Sequence, residues 1–388
     1  MSSEDFSIYI HYPFCQEKCP YCDFNSYRAT DVADDALEKY YLNELKYYRN
    51  MTAGRKVGTI FFGGGTPSLA PVGMWENILN AIGTLWNVKR SAEISIEINP
   101  ASADIKKIAL YRKMGINRIS IGAQSLNDKD LKFLGRIHSR REALDAIATA
   151  KKYFDNYSLD LIYARPGQRS EEWLKELEEA SNLSPNHLSL YQLVVAENTE
   201  FFRRGVNELD GEKAKIMYER TNNFLLRKNI RMYEVSNYAA PGFECRHNIN
   251  YWNSGEWLGI GPGSHGRLCP DWNAEDGYKI RLAMENHRSV KKWMDAVEHS
   301  GHGARVAERL TREEFQREAV LMGLRMRKGI SLAAVKKYLK IDDLDELFLN
   351  KKNLDALGRL GYIRTIKNRR AVSLKHFMIL DSIVEKVL

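Results

Sequence analysis

Three thiols near the amino end are the residues best suited to chemistry. Cys15, Cys19 and Cys22 fall within eight residues, in the run Cys15-Gln16-Glu17-Lys18-Cys19-Pro20-Tyr21-Cys22. A loop with that spacing wraps three thiolates onto one face of an iron–sulfur cube. Three ligands to a four-iron group leave one iron open, and an open position on a metal marks reactivity rather than scaffolding. Phe6 to His11, just upstream, reads as a buried strand, so the thiols follow a strand end, where α/β folds place their sites.

Other polar groups gather at strand ends further along. Val57 to Phe62 is a short apolar strand running into Gly63-Gly64-Gly65-Thr66-Pro67. Three glycines after a strand let the backbone approach a ligand and offer free N–H and C=O groups, although a plain turn fits the same residues. Glu97, Gln124 and Asp160 each lie in or just after an apolar strand. A carboxylate there is costly unless something pairs with it. Any one of them is compatible with a structural hydrogen bond; three on successive parallel strands point to one common site. Carboxylates suit ribose hydroxyls, and the glycine turn suits the charged end of an amino acid. A denser stretch, Cys245 to Trp252, carries His247 beside Tyr251 and Trp252, with His265 further on. An imidazole beside two aromatics can ligate or stack on a flat macrocycle, or it can be a packed turn whose histidine bonds to backbone.

The positioning elements alternate. Helices are expected at 35–50, 103–114, 140–154 and 171–183, between strands at 6–11, 57–62, 93–98, 118–122, 157–163 and 187–195. Six strands with helical crossovers predict a parallel sheet with helices outside. Six units fall short of a closed eight-fold barrel, so the expected fold is α/β, an open partial (β/α)6 barrel. Beyond Phe201 the alternation fades into a helix at 208–227 and an added edge strand at 230–235. The tail reads as helices at 313–325, 332–339 and 353–360, a hairpin around Lys367-Asn-Arg-Arg370 and a last helix at 376–388, the pattern of a winged-helix-like α+β domain. The expected division is a barrel over 1–205, an extension bearing the His247 segment over 206–304, and the C-terminal domain over 305–388.

Composition bounds the rest. At 44% hydrophobic and 28% charged, the 388 residues suit an ordinary globular chain. Five cysteines, three of them clustered, do not make a disulfide framework and suggest a reducing compartment. No signal-like start and no run near the ~18 apolar residues of a membrane span are present, so a cytoplasmic location without a transmembrane segment is expected. The net charge of +8 resides wholly in the tail, where 305–388 holds 19 Lys+Arg against 11 Asp+Glu. No aromatic-and-basic pattern accompanies that charge, which argues against a nucleic-acid partner.

Taken together these motifs resemble a known family. Cys15-x3-Cys19-x2-Cys22 matches the signature of radical S-adenosylmethionine (SAM) enzymes. Tyr9-Ile-His-Tyr-Pro-Phe-Cys15, Gly63-Gly-Gly-Thr-Pro67, Glu97-Ile-Asn-Pro100, Gly122-Ala-Gln-Ser125 and Asp160-Leu-Ile-Tyr163 are similar, in order, to the oxygen-independent coproporphyrinogen III dehydrogenases and their relatives. The match spans nearly the whole chain. Within the family the chain resembles the haem-chaperone branch, HemW. The true dehydrogenases carry a further cysteine where this chain has Phe24, and His247-Asn-x-x-Tyr-Trp252 is similar to that branch's HNxxYW haem-binding motif. One departure stands out: the family's Gly-Leu-Pro-Gly turn is here Ala164-Arg165-Pro166-Gly167, which puts the local shape of that pocket in question.

The resemblance implies roles. Cys15, Cys19 and Cys22 bind three irons of a [4Fe–4S] cluster, and the methionine end of SAM binds the fourth. Gly64 and Gly65 contact that methionine end, Glu97 and Gln124 hold the ribose, Arg136 and Asp160 complete the SAM site, Tyr9 lies beside the cluster, and His247 binds haem. In catalytic relatives an electron from the cluster cleaves SAM to a deoxyadenosyl radical. The expectation is a haem chaperone that passes haem to acceptor proteins, with a homodimer as one possible state. Two rivals stand beside it: a dehydrogenase converting coproporphyrinogen III to protoporphyrinogen IX, and a nucleic-acid-modifying radical enzyme using the basic tail.

Overall fold

The computed structural model describes residues 5–29, 34–102, 105–273 and 278–388. Its backbone is built on strands β1 (Asp5–Tyr12), β2 (Lys56–Gly64), β3 (Asn87–Ile98), β4 (Arg118–Gln124), β5 (Tyr157–Tyr163) and β6 (His187–Gln192), each parallel to and hydrogen-bonded with the one before. Helices Asp34–Arg49, Val72–Leu85, Ile105–Lys113, Arg140–Tyr153 and Ser170–Asn182 fill the crossovers.

The strands alternate in an unusual sense. In β1, Phe6, Ile8, Ile10 and Tyr12 join the main hydrophobic core, while Tyr9 and His11 face a cavity on the opposite side. The same holds along β3 to β6: Ile96, Ile119, Leu159 and Leu188 join the core, and Glu97, Ser120, Asp160 and Ser189 line that cavity. Side chains alternate faces along a strand, so a period-2 pattern with apolar residues toward the helices leaves a polar interior. That interior is a container for polar ligands rather than a core.

The sequence reading of six parallel strands falls one short. Trp257–Ile260 pairs in parallel with β1 on its free side, as a seventh. Three antiparallel strands, His265–Asn273, Tyr278–Asn286 and Ala304–Leu310, extend that edge. At the other edge Asn237–Ala239 pairs antiparallel with β6, and Arg231–Met232, within the expected edge strand, pairs antiparallel with Asn237–Ala239. Among the described residues the result is one open sheet of twelve strands that does not close into a barrel.

The tail packs helices Arg312–Gly323, Leu332–Leu339 and Lys351–Arg359 against a three-stranded sheet of Ile330–Ser331, Arg369–Val372 and Ile363–Thr365. That is a winged-helix-like arrangement. An isolated bridge between Glu234 and Met326 ties it to the barrel's open seam.

Candidate functional site

Two cavities occupy the concave side of the sheet. The outer one, about 350 Å³, opens at the carboxyl ends of the parallel strands. Its wall contains Cys15, Cys19 and Cys22, with Gly64, Gly65, Glu97, Gln124, Arg136 and Asp160 facing them. The inner cavity, about 430 Å³, holds Tyr9, His11, Arg118, His187, His247 and Tyr251. Glu97, Asp160 and Tyr191 border both, so the two share a wall.

The thiols are set at separate points of the outer wall. Thr66 Oγ1 donates to Cys15 Sγ at 3.4 Å, an Arg136 guanidinium nitrogen donates to Cys19 Sγ at 3.4 Å, and Ser26 Oγ lies 3.9 Å from Cys22 Sγ. Burial pushes the Cys15 and Cys22 thiols above the usual range. Among the described residues no three His, Cys, Asp or Glu side chains converge on a single ion. A cube takes one thiolate at each of three irons, so its ligands need not converge on one ion. The glycine turn packs tightly against this loop. A Cβ on Gly65 would lie 2.6 Å from the Phe14 carbonyl oxygen, and Gly64 sits at φ +110°, with a Cβ there 2.7 Å from the His11 ring. Both positions exclude side chains, so the bare turn packs directly on Phe14 and His11 where it lines the cavity.

Polar groups complete the cradle. Glu97 accepts from Gly64 N at 3.3 Å; burial, reinforced by the nearby Asp160 charge, lifts its carboxyl to about 8. Asp160 accepts from Ser120 Oγ at 3.0 Å and from Ser158 Oγ at 3.3 Å, while burial raises its pKa. Gln124 ends β4 at φ +64°, an uncommon conformation for a side chain of its size, which turns it into the cavity. Arg136 also donates to Gly122 O at 2.9 Å, and its Nε is buried without a partner. Three thiols, a bare glycine turn and an unfilled guanidinium donor fit a thiolate-held cluster with an amino-acid ligand beside it.

Arg165, flagged in the sequence for its effect on this pocket, turns away. Its guanidinium pairs with Glu176 at 2.7 Å and Asp130 at 3.1 Å, beneath a different surface depression. Phe24 lines the outer cavity's mouth and is 60% exposed.

Tyr9 lies in the inner cavity rather than among the thiols, with its hydroxyl 3.1 Å from His11 Nδ1. His11 Nε2 donates to Asn25 O at 2.8 Å, so Nδ1 accepts from Tyr9. The His247 stretch, read as either a ligand site or a packed turn, is a helix, Arg246–Trp252. The N–H groups of Arg246 and His247 both donate to the Glu93 carboxylate, at 3.1 Å each. A carboxylate on these unsatisfied N–H groups fastens the helix to β3. His247 itself is 1% exposed, its ring between Phe61 and Tyr251 at centroid distances of 5.1 and 4.8 Å. Thr59 Oγ1 donates to Ser7 Oγ and therefore accepts from His247 Nδ1–H at 2.7 Å; Nε2 accepts from the Tyr251 hydroxyl at 2.6 Å. Both ring nitrogens are engaged with side chains, not backbone. Burial lowers the imidazole to about 3, so it is neutral. His265 lines the same cavity.

The residues sequence reasoning missed are Thr59, Glu93 and Arg118. Their signal was the inward polar position in an otherwise apolar strand, the same signal that marked Glu97 and Asp160.

Comparison with known proteins bears on this arrangement. A radical SAM superfamily model matches residues 9–180, and a HemN C-terminal domain model matches 310–375. Heme chaperone HemW of Escherichia coli (strain K12) is 39% identical over 283 residues, covering 72% of this chain and 74% of that protein. HemW of Haemophilus influenzae is 33% identical, covering 89% and 96%. The chain belongs to the radical SAM family, on its HemW branch. The mitochondrial radical S-adenosyl methionine domain-containing protein 1 of Bos taurus is also similar, at 34% identity over 100% of this chain and 88% of that protein. In structure the fold matches coproporphyrinogen III oxidase (HemN) from Escherichia coli, with TM-score 0.81 at 20% identity, over 99% of this chain and 90% of that one. Among the described residues no helix is long and apolar enough to cross a membrane.

Proposed function

We propose that this protein is a haem chaperone: it binds haem at the inner cavity, holds a [4Fe–4S] cluster with SAM in the outer one, and delivers haem to acceptor proteins in the cytoplasm. The observation that carries this reading is the meeting of the three thiols with the glycine turn and the strand-end polar groups in one cavity, beside a second cavity that contains the His247 helix. HemW relatives carry the chaperone name, which supports the haem half.

Cys15, Cys19 and Cys22 hold the cluster, with the Thr66 hydroxyl and Arg136 guanidinium donating to the first two sulfurs and offsetting thiolate charge. Gly64 and Gly65 present backbone to the methionine end of SAM. Glu97 and Gln124 face the ribose, and Arg136 and Asp160 complete the pocket. When bound and reduced, the cluster supplies one electron to SAM. The chain's own contribution is orientation and exclusion of water. Haem is cargo, with His247 its candidate ligand through Nε2, which requires the Tyr251 hydroxyl to leave that nitrogen.

The test is anaerobic reconstitution, then a haem titration and a turnover assay with SAM and coproporphyrinogen III in parallel. Stoichiometric haem binding without product is expected. Robust protoporphyrinogen IX formation would replace the chaperone with the dehydrogenase. Phe24 in place of the dehydrogenases' further cysteine argues for the chaperone.

A further inference from the structure

Arg118 lies on the inner face of β4 and lines the inner cavity, yet it is 2% exposed. Its Nε is buried without a partner, and no hydrogen bond or ion pair to its guanidinium is found among the described residues. A guanidinium carries five N–H donors and stays charged, and burying it without a hydrogen-bonded partner is unfavourable.

The acidic groups nearby, Glu93 and Asp160 among them, favour the charge through space but accept no hydrogen bond from it. Glu93 is committed to the N–H groups of Arg246 and His247 and to the Cys245 thiol. Asp160 is held by Ser120 and Ser158, and Glu97 by Gly64 N. The neutral histidines are also engaged: His187 with Ser158 and Tyr233, and His247 with Thr59 and Tyr251. Each group that surrounds the cation is satisfied by something else, and the cation borders open space.

We infer that Arg118 is a carboxylate receptor in the floor of the inner cavity, taking an acidic side arm of the cargo in a bidentate contact. The planar fork of a guanidinium matches the two oxygens of a carboxylate, and aromatic walls at Tyr9, Phe61 and Tyr251 suit the flat body that bears such an arm. This rests on the reading that haem, which carries two propionates, is the cargo.

The experiment compares haem with its dimethyl ester, in which the acid arms are uncharged, on the full-length protein and on Arg118→Gln and Arg118→Lys. The parent is expected to favour the free acid by about 10- to 100-fold. Arg118→Gln is expected to lose that preference with its affinity for the ester unchanged, and Arg118→Lys to keep part of it. Equal affinity of the parent for both forms, or an equal loss of both in Arg118→Gln, overturns the proposal. If Arg118→Gln does not fold by circular dichroism, Arg118→Lys and the parent's own preference decide. If the parent binds neither form, the haem reading has failed and glutarate judges the receptor. Ligand-observed NMR binding to the parent that is lost in the Arg118 variants then supports it, and no binding overturns it.

Discussion

The outer and inner cavities share a wall but are built on opposite terms. In the outer one, groups wait for something: thiols with single weak donors, a glycine edge kept bare, an Arg136 Nε without a partner. In the inner one Arg118 also has a bare Nε, but three histidines are already bonded to neighbours, His11 between Tyr9 and Asn25, His187 between Ser158 and Tyr233, and His247 between Thr59 and Tyr251. The first keeps its thiols and an Arg136 donor without strong partners. The second must break a hydrogen bond before His247 can act as a ligand, which suits a site that releases what it binds.

The sharpest way to break that contrast is at the sulfurs. Cys15→Ala, Cys19→Ala and Cys22→Ala should each abolish bound iron, sulfide and the brown visible absorbance of thiolate-held iron. Full iron and sulfide in all three would remove the cluster assignment. Gly65→Ala should come next. Its new Cβ meets the Phe14 carbonyl, so SAM affinity by equilibrium dialysis should fall by about tenfold or more, with a stability loss of about 1–3 kcal/mol. Unchanged SAM affinity would mean that the turn does not need its bare edge.

The inner cavity should be the acid-labile one. Burial lowers His11 to about 4 and His247 to about 3, below the unfolded value of 6.5. Above pH 6.5 both are neutral in both states. As pH falls from 6.5 toward 4 the unfolded chain takes up protons that the folded chain refuses, so stability drops by about 1.4 kcal/mol per pH unit for each histidine. Glu97, lifted to about 8, works the other way over the same window, so the histidines are read singly by calorimetry. His11→Gln and His247→Gln should each lose less melting temperature between pH 6.5 and pH 4 than the parent does, and profiles parallel to the parent's would count against neutral, locked imidazoles. The smallest effect is expected from Tyr251→Phe, which frees Nε2 and should tighten haem by about two- to tenfold, while His247→Ala weakens it. Haem titration of both variants reads this directly. If Tyr251→Phe weakened binding as His247→Ala does, the hydroxyl would be a contact and not a lock.

Much of the barrel was legible because its strands carry both signals at once. In Glu93-Ile-Ser-Ile-Glu-Ile98 the alternation gives the strand, and the inward carboxylates give the cavity. The thiol spacing and the glycine turn are local, so sequence carries them well. What was not legible depends on distance along the chain. Trp257–Ile260 is a four-residue strand among glycines, and its partner β1 lies some 250 residues earlier, so no local pattern announces the pairing. The antiparallel extension was missed although Tyr278–Asn286 alternates apolar and polar residues; Ala304–Leu310, more than half exposed, carries a weaker signal. One of His247's two partners, Thr59, comes from β2 far away in sequence, which made a packed turn and a ligand indistinguishable. Tyr9 abuts the cysteine motif in sequence, yet strand alternation sends it inward while the chain carries the thiols past the strand end.

Glu97, Asp160 and Tyr191 face both compartments at once. A carboxyl poised near neutrality in such a partition reports to two tenants. If SAM on one side changes the charge of Glu97, the affinity on the other side shifts. Equilibrium then demands that the second occupant alter the first by the same factor. With both cavities filled as proposed, the partition would let each ligand sense the other with no moving domain required.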